Sequence, residues 1–237
     1  MNDIIAKIRR ELKDSIDLEY KKGSYRFFKE EIKLYGVQVP IVRNISKIYY
    51  SEIKNLEKIE IISLCDELLK SGYTEESVIA FDWMYRIRNQ YEKNDFKIFE
   101  SWVKKYISDW GRCDDFCVHA FGYYIYQFSG LLPEIEKWAK SKNRWQRRAS
   151  AVCLIYSLRK KKYLKNSFLI ADILLEDSDD LVQKGYGWML KEVSNVYQNE
   201  VYNFVNNNKE KMPRTALRYA IEKMPKKMKL ELMKNNK

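Results

Sequence analysis

The chain has 237 residues, room for one large domain or two small ones, and its apolar fraction of 46% is that of an ordinary globular protein. With 44 Lys and Arg against 33 Asp and Glu, the net charge is +11, which favours a polyanionic partner, nucleic acid first. The N-terminal residues have neither the apolar core nor the cleavage site of a secretory signal, no run of about 18 apolar residues spans a bilayer, and no amphipathic membrane anchor stands out.

Helical periodicity runs through nearly the whole sequence, and strand-like alternation is scarce. Only 8 Gly and 4 Pro interrupt it. Thr74-Glu75-Glu76 reads as an N-cap with acidic first-turn residues, after which Val78, Phe81 and Tyr85 recur at helical spacing. Ser178-Asp179-Asp180 opens another helix in the same manner, and Pro133 and Pro213 fall where first-turn prolines are tolerated. Roughly a dozen short helices joined by short polar turns predict an all-α fold at the spacing of helical repeats, with a bundle as the alternative. No linker rich in Gly, Pro or Ser appears, so residues 1–237 are expected to form one domain, with fraying confined to Pro225–Lys237.

The segment from Ser108 to Cys117 joins two helices and places Asp114 and Asp115 in the first turn of the second. The plain reading is dipole stabilisation. The functional reading starts from the same physics: an ionised carboxylate beside the wall of Trp110 stabilises a developing cation. Cys113 and Cys117 stand one helical turn apart, but His119 is the chain's only histidine, too few donors for a structural zinc site. His119 is expected to be packed or capped. All four cysteines, including Cys65 and Cys153, read as reduced thiols of a cytoplasmic protein.

From Lys137 to Ala171 there are eleven basic residues and no acidic one. Arg159 to Lys162 reads as a solvated turn after a helix. Trp145, Arg147 and Arg148 stand instead at a helix start, where free N–H groups and the dipole favour phosphate. In the helix from about Ser178 to Ser194, Val182, Tyr186, Met189, Leu190 and Val193 form one apolar stripe. Trp188 lies off that stripe, between Lys184 and Lys191, as a stacking or phosphate-bearing surface requires; burial against a neighbouring helix is the even alternative. Gly185 and Gly187 flank it, and glycines inside a helix point to a close backbone approach rather than a phosphate loop.

Four patches, in order, resemble the AlkD-type DNA glycosylases: Tyr35-Gly36-Val37-Gln38-Val39-Pro40 with Arg43; Trp110 with Asp114; Asn143 to Ala149; and Val182 to Glu192. A weaker fifth is Arg214 to Ile221. The resemblance implies HEAT-like helical repeats stacked into a curved solenoid with a concave basic face. It makes Asp114 the catalytic carboxylate, with Trp110, Trp188 and Arg148 completing the site. Gln38, Arg43, Lys184, Lys191, Arg214 and Arg218 become candidate backbone contacts beside Trp145 and Arg147. The family often carries a second Trp before the position of Trp110 and an acid after it; this chain has Asp109 and Gly111. The implied activity is excision of cationic N3- and N7-alkylated purines from duplex DNA, without flipping the base, by a monomer needing no metal or cofactor. A bacterial, nucleoid-associated location follows. A non-catalytic DNA-binding repeat protein and a protein-binding scaffold are the competing readings.

Overall fold

The computed structural model describes residues 2–234. Among them there is no strand, only an isolated parallel bridge between Lys33 and Tyr73. The chain divides into two compact units, Met1–Ala120 and Phe121–Lys237.

The first unit holds α1 (Asn2–Asp14), α2 (Leu18–Ser24), α3 (Val39–Ile53), α4 (Lys58–Lys70), α5 (Thr74–Arg86), α6 (Phe96–Lys105) and α7 (Trp110–Val118). In α1, Ile5, Ile8 and Leu12 recur at helical spacing and are buried. α2 is capped by Asp17, which accepts from Tyr20 N–H at 2.9 Å. The stretch from Ile32 to Val37 has no helix of its own, and Glu75 takes over its backbone bonding. Its carboxylate accepts from Tyr35 N–H (3.1 Å), Gly36 N–H (2.8 Å) and Val37 N–H (3.1 Å). Gly36 has φ +97°, and a Cβ there would lie 2.5 Å from Lys21 Cβ, so only glycine fits. α5 packs against α4 on one side and α3 and α7 on the other. That gives it two covered sides: Ile79, Ala80, Trp83 and Met84 are buried together with Phe81, while Val78 and Tyr85 are half-buried. The helix begins at Thr74 with Tyr73 as N-cap, one residue before the expected cap, and Glu75 and Glu76 do lie in its first turn.

The second unit begins with α8 (Ala120–Gln127), which starts at the boundary. It continues with α9 (Leu132–Ala139), α10 (Arg144–Val152), α11 (Leu154–Leu158), α12 (Leu164–Ile173), α13 (Asp180–Ser194), α14 (Gln198–Asn208), α15 (Arg214–Ala220) and α16 (Lys226–Met233). The pairs α9–α10, α12–α13 and α14–α15 are helical hairpins, and α10, α13 and α15 stack in turn along their second helices. This is the helical-repeat logic expected from the sequence: each hairpin buries its apolar face on its neighbours.

The predicted stripe of α13 is entirely buried: Val182, Tyr186, Met189, Leu190 and Val193. Its cap is Asp179, accepting from Leu181 N–H at 2.9 Å, rather than Ser178. Gly187 is where α13 meets α15; a Cβ there would lie 2.7 Å from Tyr219 Cβ and 2.8 Å from the Ala216 carbonyl oxygen. Pro133 sits in the first turn of α9, whereas Pro213 is the N-cap of α15. The expected fraying from Pro225 gives way to α16, because Leu232 finds a buried place; residues 235–237 lie outside the described part.

Candidate active site

In the first unit the site is built on α7. Its N-cap is Asp109, fully buried, which accepts from Arg112 N–H at 2.9 Å and pairs with the Arg112 guanidinium at 3.3 Å. Burial pushes the Asp109 carboxyl up, against the pull of Arg112. The helix therefore begins at Trp110, earlier than expected, and Asp114 and Asp115 fall in its second turn rather than its first. The dipole effect fades beyond the first turn, so it acts on Asp109 and not on Asp114. What remains for Asp114 is position: half-buried, four residues after Trp110 and on the same helix face.

Trp110 is half-buried and held on two sides. Its Nε1–H donates to the Phe27 carbonyl at 3.2 Å, and its ring stacks on Phe28 with centroids 5.0 Å apart. Beside it lies a largely apolar pocket of about 360 Å³ whose walls include Phe27, Phe28, Val39, Val42 and Trp110. Arg43 and Asp115 line the same pocket and are joined at 2.7 Å. Asp115 also faces His119 Nδ1 at 3.2 Å, and this bond holds the imidazole above its ordinary value despite burial. Arg43 reaches Asp82 as well, at 3.8 Å. Gln38 is exposed and donates from Nε2 to Asp17 at 3.1 Å.

In the second unit the predicted residues gather on α10 and α13. Asn143 caps α10, accepting from Trp145 N–H at 2.8 Å and Gln146 N–H at 3.4 Å. Those N–H groups, expected to be open to phosphate, are thus taken by a side chain. Trp145 is buried, under the Arg144 guanidinium at 5.2 Å. Arg147 pairs with Asp177 at 2.6 Å and donates to the Ser141 and Lys142 carbonyls. Arg148 is buried and donates to the Leu181 carbonyl. Its Cγ would be 3.1 Å from a Cβ at Gly185, so that glycine makes room for the arginine chain.

Trp188 is half-buried, off the apolar stripe as expected, and its Nε1–H donates to Glu192 Oε1 at 3.0 Å. Burial raises the Glu192 carboxyl, but hydrogen bonds from Arg159 and Trp188 outweigh it and hold the group below its ordinary value. Lys184 pairs with Asp180 at 3.2 Å and Lys191 with Glu222 at 3.0 Å. Arg214 and Arg218 are exposed, and Arg214 donates to the Met233 carbonyl at 3.2 Å.

Sequence reasoning did not find the Phe28 stack on Trp110 or the Arg43–Asp115 pair, whose partners are far apart in sequence, and it passed over the i,i+4 pair of Asp115 and His119. It also passed over Glu192 beneath Trp188, although the i,i+4 spacing signals it. All four cysteines are buried and none is in a disulfide, and no cluster of metal-binding side chains occurs among the described residues. No helix among them is long and apolar enough to cross a membrane.

No curated protein matches the chain. Among solved structures it is similar to one described as a predicted DNA alkylation repair enzyme from Enterococcus faecalis, with a TM-score of 0.79 and 18% identity over 90% of this chain and 98% of that one. At that identity the likeness establishes a shared fold. A family model described as DNA alkylation repair enzyme matches residues 8–224, nearly the whole length. The chain therefore belongs to the DNA alkylation repair enzyme family.

Proposed function

We propose that this protein is a DNA glycosylase that excises cationic N3- and N7-alkylated purines, of the 3-methyladenine and 7-methylguanine type, from duplex DNA. One observation carries the reading within the family: Trp110 and Asp114 stand one turn apart on α7, and it is Asp109, not Asp114, that caps that helix.

The chemistry asks little of the protein. An N-alkylated purine is already positively charged and leaves without a strong general acid. As the glycosidic bond lengthens, positive charge grows on the sugar. Asp114 stabilises that oxocarbenium-like centre and orients the attacking water. Trp110, one turn away on the same helix, offers a ring face to that charge, and Trp188 is a contact to the DNA backbone. Gln38, Arg43, Lys184, Lys191, Arg214 and Arg218 contact the DNA backbone, while Arg148 and Trp145, buried on α10, and Arg147, paired with Asp177, hold that face in place. The base is not flipped, no metal or cofactor enters, and the whole chain acts as one monomeric DNA-binding domain of a cytoplasmic, nucleoid-associated protein.

The test is release of free base. The purified protein, with chelator present, is expected to liberate 7-methylguanine or 3-methyladenine from methylated duplex DNA. Steep loss of duplex affinity between about 50 and 200 mM salt should accompany it. Binding without release of any cationic lesion would replace the glycosylase with a non-catalytic DNA-binding protein.

A further inference from the structure

We infer that the second unit carries a separate phosphodiester-binding surface, made of Tyr123, Tyr126 and Tyr156 with the lysine turn 160–162. The inference rests on the DNA-binding reading above and extends it to residues that the sequence alone left as a solvated turn.

The three tyrosines come from α8 and α11 and are all half-buried. Their rings form one cluster: Tyr156 meets Tyr123 and Tyr126 edge-on, each at 5.7 Å between centroids. Tyr123 and Tyr126 lie 6.4 Å apart. The lysine turn is fixed to this cluster from two directions. Tyr163 donates its hydroxyl to the Tyr126 carbonyl at 3.2 Å, and Lys162 Nζ lies 4.3 Å from the centre of the Tyr126 ring.

The turn closes α11 with two backbone bonds, Lys161 N–H to the Leu158 carbonyl and Lys162 N–H to the Ser157 carbonyl, at 2.8 and 2.9 Å. This is a helix-ending loop in which the left-handed position normally falls to glycine. Here it is occupied by Lys161, with φ +58°. The chain thus carries a strained lysine where a glycine would close the helix more easily. Lys160, Lys161 and Lys162 are all exposed, and none pairs with a carboxylate among the described residues. They also lie inside the stretch from Lys137 to Ala171 that contains no acid.

The chemistry selects the occupant. The tyrosine rings close on one another, and the Tyr126 face already carries an ammonium, so the cluster is poorly suited to stacking bases. What it offers is the Tyr126 hydroxyl beside the exposed ammonium groups of Lys160, Lys161 and Lys162, a donor set that grips phosphate oxygens without reading sequence. A duplex backbone fits that description.

The experiment measures affinity of the full-length protein for a short undamaged duplex across a salt series. Each lost phosphate contact lowers the slope of log affinity against log salt by about 0.9. The triple variant Lys160→Gln/Lys161→Gly/Lys162→Gln is expected to lose about two to three units of slope and roughly tenfold or more in affinity at low salt. Tyr126→Phe should weaken binding with its melting temperature unchanged. Lys161→Gly alone should weaken binding while its melting temperature holds or rises, an outcome that a merely structural role would not produce. Lys226→Gln/Lys227→Gln/Lys229→Gln on α16 removes the same charge elsewhere and should keep most of the slope. Wild-type binding with an unchanged slope in the 160–162 variant, or equal losses in the α16 control, would overturn this surface alone. A wild type that binds no duplex would overturn the DNA reading beneath it.

Discussion

Replacing Gly187 by alanine tests the packing of the second unit and has a magnitude that follows from the geometry. The new Cβ would lie 2.7 Å from Tyr219 Cβ and 2.8 Å from the Ala216 carbonyl oxygen. Carbon atoms sit comfortably at about 3.5–4.0 Å, so α13 and α15 must part by close to an ångström. The second obstacle is backbone, which cannot swing aside as a long side chain does. Overpacking of this kind costs about 3 kcal/mol, the upper end of the usual range. Alanine returns about 1 kcal/mol in helix propensity. The net loss is about 2 kcal/mol, or roughly 4–8 °C in melting temperature for a chain of this size. Differential scanning calorimetry reads it directly. Gly185→Ala is the companion: its nearest neighbour is the Arg148 side chain at 3.1 Å, so its loss should be smaller. A Gly187→Ala protein that melts at or above the wild-type temperature would refute the close-approach account of α13.

Two further outcomes follow from the first unit. Glu75→Gln puts an amide donor against one or more of the backbone N–H groups that Glu75 now receives from Tyr35, Gly36 and Val37. It should cost about 2–3 kcal/mol, read as a lower urea midpoint; an unchanged midpoint would contradict it. His119 binds its proton more tightly in the folded chain than the ordinary value of 6.5, chiefly through the Asp115 hydrogen bond. Its contribution to stability is therefore complete below about pH 6.5 and fades as the pH rises through the elevated folded value. His119→Gln should flatten that part of the stability profile, and a profile identical to wild type would remove His119 as its source.

How much of this was legible in the sequence depends on the range of the interaction. The stripe of α13 and the off-stripe place of Trp188 follow from local periodicity, and both appear in the structure. The role of Gly187 as a close-approach position was readable because glycine inside a helix asks for a reason. Helix starts were readable only to within a residue or two. Thr74 and Ser178 looked like caps, but Tyr73 and Asp179 hold those positions. Asp109 was hidden for a related reason: its capping turned the expected first-turn acids into second-turn ones.

Charge was the least legible property. A count of cations cannot show that Arg147 is taken by Asp177, thirty residues away, or Arg43 by Asp115, seventy-two away. The same count made Arg159 to Lys162 look uniform. In the structure Arg159 is paired with Glu192, whereas Lys162 rests on a tyrosine ring. Tail order was missed because one buried leucine, Leu232, is a weak signal in a run of lysines.

In the proposed function Asp114 carries the excision chemistry. The most direct measurement is single-turnover release of 7-methylguanine from a defined duplex, by wild type and by Asp114→Asn, with duplex affinity measured on both. Wild type is expected to release the base, and the variant to keep its affinity while losing roughly a hundredfold or more in rate, the scale of removing one electrostatic partner of a transition state. Equal rates in the two proteins would contradict that role.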